Sequence, residues 1–133
     1  MTSKVIYLGD LRTEATHLAS GNVILSDAPV DNNGRGEAFS PTDTVATALA
    51  SCALTIMGIK AASMNWDITG ITTDVTKVMS AEPRRIAKIS VVFHIPFKTD
   101  EKQRKILEKT AKTCPVYLSL HPEIEKDFQF DWA

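Results

Sequence analysis

The hydrophobic pattern is most unusual between Ser40 and Ser63, SPTDTVATALASCALTIMGIKAAS, where no charge falls between Asp43 and Lys60. The run opens with helix-start chemistry. Ser40 suits an N-cap, Pro41 the first helical position, and Asp43 the place of a capping-box acid. A soluble helix so bare of charge has to be covered on nearly every side. Its Thr, Ser and Gly content argues against a membrane span, which wants about 20 mostly apolar residues. Small residues (Ala46, Ala48, Ala50, Ser51, Ala53, Gly58) let neighbouring backbones come close.

The segments around this helix read as strands. Residues 4–8 form a first strand ending in a Gly9-Asp10 turn, and residues 11–18 a second, with Arg12, Glu14 and Thr16 on one face. Ala19-Ser20-Gly21-Asn22 closes a hairpin onto residues 23–26. Residues 27–39 hold Pro, Asn-Asn-Gly and Gly34-Arg35-Gly36 and read as a loop. A phosphate cradle there would need a preceding buried strand and a third glycine. Beyond the helix, residues 68–80 predict a long strand and residues 81–84 its turn. Ala87, Ile89, Val91, Phe93, Ile95 and Phe97 then alternate with Lys88, Ser90, Val92 and His94. One buried and one wetter face is the mark of an antiparallel sheet, the natural cover for the bare helix. Thr99 is the expected cap of a second helix over 100–112. Pro115 ends it, and Phe128, Phe130 and Trp132 alternate as a closing strand. The layout predicts an α+β fold in a single domain over residues 1–133, with three strands, a long helix, two strands, a helix and a strand.

Composition narrows the function classes. A net charge of −1 gives no reason to expect nucleic acid or an anionic membrane as partner. The N-terminal stretch lacks a hydrophobic signal core, so a cytoplasmic location is expected. His17, His94 and His121 are scattered without metal-ligand spacing, and no Cys-x-x-Cys occurs, so neither a metal nor another cofactor is expected.

The two cysteines, Cys52 and Cys114, are either free core thiols or a redox pair. Cys52 lies about 16 Å along its helix from Pro41, too far for the helix N-terminus to favour its thiolate. Taken alone it reads as packing, and it becomes a nucleophile where the fold brings a cation to it. Cys114 stands before Pro115. Its thiolate is disfavoured at the end of the second helix and favoured if Pro115 starts a new turn that Cys114 caps.

The run FSPTDTVATALASC after a Gly-rich loop, TCPVYLSL well downstream, and an arginine in an early strand together resemble the OsmC/Ohr family, the osmotically inducible and organic hydroperoxide resistance proteins. The likeness covers nearly the whole chain. It implies an antiparallel sheet wrapped around a long central helix, an intertwined homodimer, and thiol peroxidase activity at the subunit interface. By position, Cys52 matches the peroxide-attacking cysteine, Cys114 the resolving cysteine, and Arg12 the arginine that holds Cys52 as thiolate. The substrate implied is a small organic hydroperoxide and the recycling partner an external dithiol. Organic hydroperoxide reductases of this family carry a glutamate after the proline, paired with the arginine, and here that place is Thr42. Glu14 or Asp43 is expected to orient Arg12 instead, because a carboxylate pins the planar guanidinium fork. Thr42 also fits a rival reading, a non-catalytic module that binds a small apolar or electrophilic ligand in the same interfacial pocket.

Overall fold

The computed structural model describes residues 1–133, which form two compact units, Met1–Val45 and Ala46–Ala133. In the first unit β1 (Ser3–Gly9), β2 (Arg12–His17) and β3 (Val23–Asp27) make an antiparallel meander. The β1–β2 turn is tight. Gly9, Asp10 and Leu11 all carry positive φ, and the register slips between Tyr7 and Gly9. The β2–β3 register pairs Thr16 with Val23 and, at its far end, Arg12 with Asp27.

The glycines of the 27–39 loop serve close backbone approach. A Cβ on Gly34 would lie 1.7 Å from the Ala28 carbonyl oxygen, so no other residue fits without moving the chain. The Gly34 amide donates to the Pro29 carbonyl and the Gly36 amide to that of Ala28, folding the loop back on itself. This is a turn, as the missing third glycine implied.

Helix α1 spans Pro41–Ser63. Its start is the capping box that the sequence announces. The Ser40 amide donates to Asp43 Oδ2 and the Asp43 amide to Ser40 Oγ, each at 3.0 Å. At 23 residues the helix is long and apolar enough, by length and composition, to cross a membrane, contrary to the expectation from its Thr, Ser and Gly content. In this fold Ala46, Leu49, Ala50, Ala53, Met57 and Ala61 are instead buried in the protein core.

The second unit sets that face of α1 against β4 (Thr72–Ala81), β5 (Arg84–Ile95), α2 (Glu101–Ala111), α3 (Pro115–Ser119) and β6 (Glu125–Trp132). Four details depart from the sequence reading. First, β4 starts at Thr72 rather than Ile68. The Thr69 amide donates to Asp67 Oδ1 at 2.8 Å, and Gly70 has φ +97°, so a turn replaces the strand's first residues. Second, a bulge opposite Val78 and Met79 leaves Ala87 out of register, and Ile86 takes the buried place expected of Ala87. Third, α2 is capped by Asp100, not Thr99, in a capping box with Gln103. Asp100 Oδ1 accepts the Gln103 amide, while Thr99 Oγ1 accepts a hydrogen bond from Arg104 Nε.

The fourth concerns the sheet. The β4–β5 hairpin is antiparallel, but β6 runs parallel to β5, since α2 and α3 carry the chain back to the end where β5 began. That pairing sets Phe93 beside Phe130. Their rings stack at 4.6 Å, and Phe128 meets Phe93 edge-on at 5.2 Å.

On the wetter face of this sheet His94 bridges two strands. Its Nε2 lies 2.8 Å from Asp74 Oδ2 and its Nδ1 3.2 Å from Asp131 Oδ2. The hydrogen bond to Asp74, then that to Asp131, raises the His94 pKa above its ordinary value. The imidazolium is therefore favoured by folding. Its contribution is complete below the unfolded value of about 6.5 and is lost as pH rises through the raised folded value. Substituting His94→Gln is expected to lower Tm more at pH 5.5 than at pH 8.5. An equal drop at both, measured by thermal unfolding, would refute the coupling.

Candidate active site

Cys52 lies on α1, half-buried, with the fully buried Ala53 and Met57 following it in the same helix. Cys114 is fully buried between the end of α2 and the start of α3. Leu107 and Ala111, on the inward face of α2, are buried with it, as helical spacing predicted. Of the two settings open to Cys114 in the sequence, the fold selects the second. Pro115 begins α3, Cys114 is its N-cap, and its Sγ accepts the Tyr117 amide at 3.3 Å.

The two thiols are free, and Cys52 packs against the core cluster that holds Cys114. Burial pushes the Cys114 thiol up, outweighing the Tyr117 amide, which alone would lower it. The neighbouring Cys52 thiol raises Cys114 further. Chemically the pair is therefore asymmetric. Cys114 is the fully buried member, its pKa raised, and Cys52 the half-exposed one.

In the N-terminal unit Arg12 stands at the start of β2, its side chain 31 % exposed. Arg12 Nε lies 3.8 Å from Asp27 Oδ1, and Nη2 3.6 Å from Glu37 Oε2. Asp27 is completely buried. Its Oδ2 accepts the Glu37 amide at 3.0 Å, while Oδ1, facing Arg12, has no hydrogen-bond partner.

Glu14 and Asp43, the carboxylates expected to orient Arg12, hold other places. Glu14 lies half-buried between Ile6 and Leu25 in the meander. Asp43 gives Oδ2 to the capping box, and the Thr42 hydroxyl bonds that of Ser40 at 3.2 Å. The signal for Asp27 was present in the hairpin, where one register slide sets opposite charges across β2 and β3. Glu37 left no comparable trace, because only the folded-back loop brings it to Arg12. No group of three or more His, Cys, Asp or Glu side chains is placed to hold a metal ion.

The family model for OsmC-like proteins matches residues 34–128, most of the chain and both cysteines. The chain belongs to the OsmC/Ohr family. Among solved structures, this OsmC-like chain is similar to a Psychrobacter arcticus protein named for osmotic stress induction and a detoxification response. The two share 55 % identity with a TM-score of 0.95, over 98 % of this chain and 95 % of that one. An OsmC-like protein from Mycoplasma pneumoniae shares the fold at 17 % identity and a TM-score of 0.82, covering 98 % of this chain and 95 % of its own. The organic hydroperoxide resistance protein OhrB of Bacillus subtilis shares it at 17 % identity and 0.67, covering 98 % of each. No curated protein matches the sequence.

Proposed function

We propose that this OsmC-like protein is a cysteine-based thiol peroxidase that reduces organic hydroperoxides. The observation that carries the reading is the placement of two reduced cysteines at one core cluster, Cys52 half-exposed and Cys114 fully buried with its pKa raised. The names of its structural relatives, a detoxification response protein and an organic hydroperoxide resistance protein, point the same way.

The chemistry begins with the Cys52 thiolate attacking the terminal oxygen of ROOH. The O–O bond breaks, and RO⁻ takes a proton to leave as the alcohol. Cys52 is left as sulfenic acid, two electrons more oxidised. The Cys114 sulfur then attacks the Cys52 sulfur. An S–S bond forms, the S–O bond breaks, and the hydroxyl leaves as water with the Cys114 proton. An external dithiol in the cytoplasm returns both thiols by exchange. In this reading Arg12, supplied within a homodimer, favours the Cys52 thiolate and stabilises charge on the departing alkoxide.

Titrating the reduced protein with cumene hydroperoxide tests this. Two thiols are expected to disappear and one cumyl alcohol to appear per hydroperoxide, with both thiols restored by dithiothreitol. Full thiol content after excess hydroperoxide would overturn the activity and leave ligand binding as the better account.

A further inference from the structure

We propose that Asp27 and Glu37 are positioning residues that together aim the Arg12 guanidinium at its working place, an inference that rests on the peroxidase reading above. The argument starts from a cost. A carboxylate wholly removed from water is unfavourable unless it is paired and hydrogen-bonded, yet Asp27 is fully buried with Oδ1 lacking a hydrogen bond. The group that this oxygen faces is Arg12 Nε, at 3.8 Å.

The surroundings fix Asp27 firmly. Its amide donates to the Phe39 carbonyl, the next amide, of Ala28, donates to the Leu11 carbonyl, and Oδ2 receives the Glu37 amide. The same folded loop that needs Gly34 without a side chain brings Glu37 Oε2 to 3.6 Å from Arg12 Nη2. One carboxylate is buried and rigid, and the other, 56 % exposed, closes the far side of the fork. A planar guanidinium between two such anchors loses its freedom to swing, which a single exposed partner would not achieve.

Positioning and simple charge neutralisation predict opposite signs. If the carboxylates aim Arg12 at Cys52, removing one lets the cation drift and Cys52 ionises less readily. If they only dilute its charge, removing one leaves a stronger cation and Cys52 ionises more readily. The test measures iodoacetamide alkylation of Cys52 against pH in a Cys114→Ser background, so that one thiol reports. Arg12→Ala, Asp27→Asn and Glu37→Gln are compared, together with their rates of cumene hydroperoxide consumption.

Asp27→Asn is expected to move the alkylation midpoint up by about one pH unit, a tenfold fall in thiolate at neutral pH. Glu37→Gln should move it the same way by less. Asp27→Asn added to Arg12→Ala should change nothing further, which separates an action through Arg12 from a general loss of structure. Glu37→Gln keeps the test decisive if Asp27→Asn does not fold. A midpoint that falls or stays put in the carboxylate variants while Arg12→Ala raises it overturns the positioning role alone. A midpoint unmoved by Arg12→Ala overturns the link between Arg12 and Cys52, and this inference with it.

Discussion

Cys52→Ser is expected to reduce hydroperoxide consumption by about a thousandfold or more, the scale on which losing a covalent nucleophile registers. Cys114→Ser is expected to consume a first equivalent, leaving sulfenic acid on Cys52, and not to turn over with dithiol as the parent does. The difference follows from the settings of the two sulfurs. Cys52 is half-exposed and open to a small substrate, whereas Cys114 is fully buried and raised by burial and by its neighbour. A buried thiol with a raised pKa is a poor first nucleophile, yet well placed to condense with a sulfenic acid formed on a neighbouring cysteine. In excess hydroperoxide the Cys114→Ser protein should proceed to sulfinic acid, visible as two added oxygens by mass spectrometry, because nothing intercepts the intermediate. If Cys52→Ser consumes hydroperoxide at the parental rate, the two roles are reversed or absent.

Apolar-to-charged substitutions in the N-terminal meander are expected to break a homodimer. On one face of that sheet Val5, Tyr7 and Ile24 are each at least 60 % exposed, and on the other Ile6, Val23 and Leu25 are each close to half exposed. A three-stranded sheet with apolar side chains on both faces is built to be covered on both. Helix α1 adds an uncharged exposed stripe of Thr44, Thr47, Ser51, Thr55 and Ile59. Such surfaces fit an obligate interface of more than about 2,000 Å² with a second copy. Burying one Ile or Leu contributes about 1.5–3 kcal/mol, and a carboxylate in its place adds a desolvation cost. Ile24→Asp or Leu25→Asp, one from each face, should therefore raise the dimer dissociation constant by about a hundredfold or more. Sedimentation of the parent as a stable monomer at micromolar concentration, or of both variants as unaltered dimers, would refute the assembly.

Much of the fold is legible in the chain because its signals are local. Ser40, Pro41 and Asp43 lie within one helical turn, so the capping box needs no distant partner to form. The alternation from Ile89 to Ile95 becomes a buried face because strand pleating has a period of two residues. The OsmC-like motifs around Cys52 and Cys114 were equally readable, since each is a short contiguous run.

Where partners lie far apart in sequence, local pattern was silent or misleading. The direction of β6 followed from the α2–α3 crossover, because Phe128, Phe130 and Trp132 alternate identically in a parallel or an antiparallel strand. Whether Cys114 ends one helix or caps the next was open in the sequence; the chain ends α2 at Ala111 and starts α3 at Pro115, and burial then outweighed the cap in setting the Cys114 proton affinity. The sequence by itself determined the family, the start of the long helix and the two thiols. Only the tertiary structure decided that Cys52 packs against the core cluster holding Cys114, and that Asp27 and Glu37 come within ion-pair distance of Arg12. Charge pairing and burial depend on distances through space, and a loop folded back on Gly34 sets those distances without changing any local pattern in the chain.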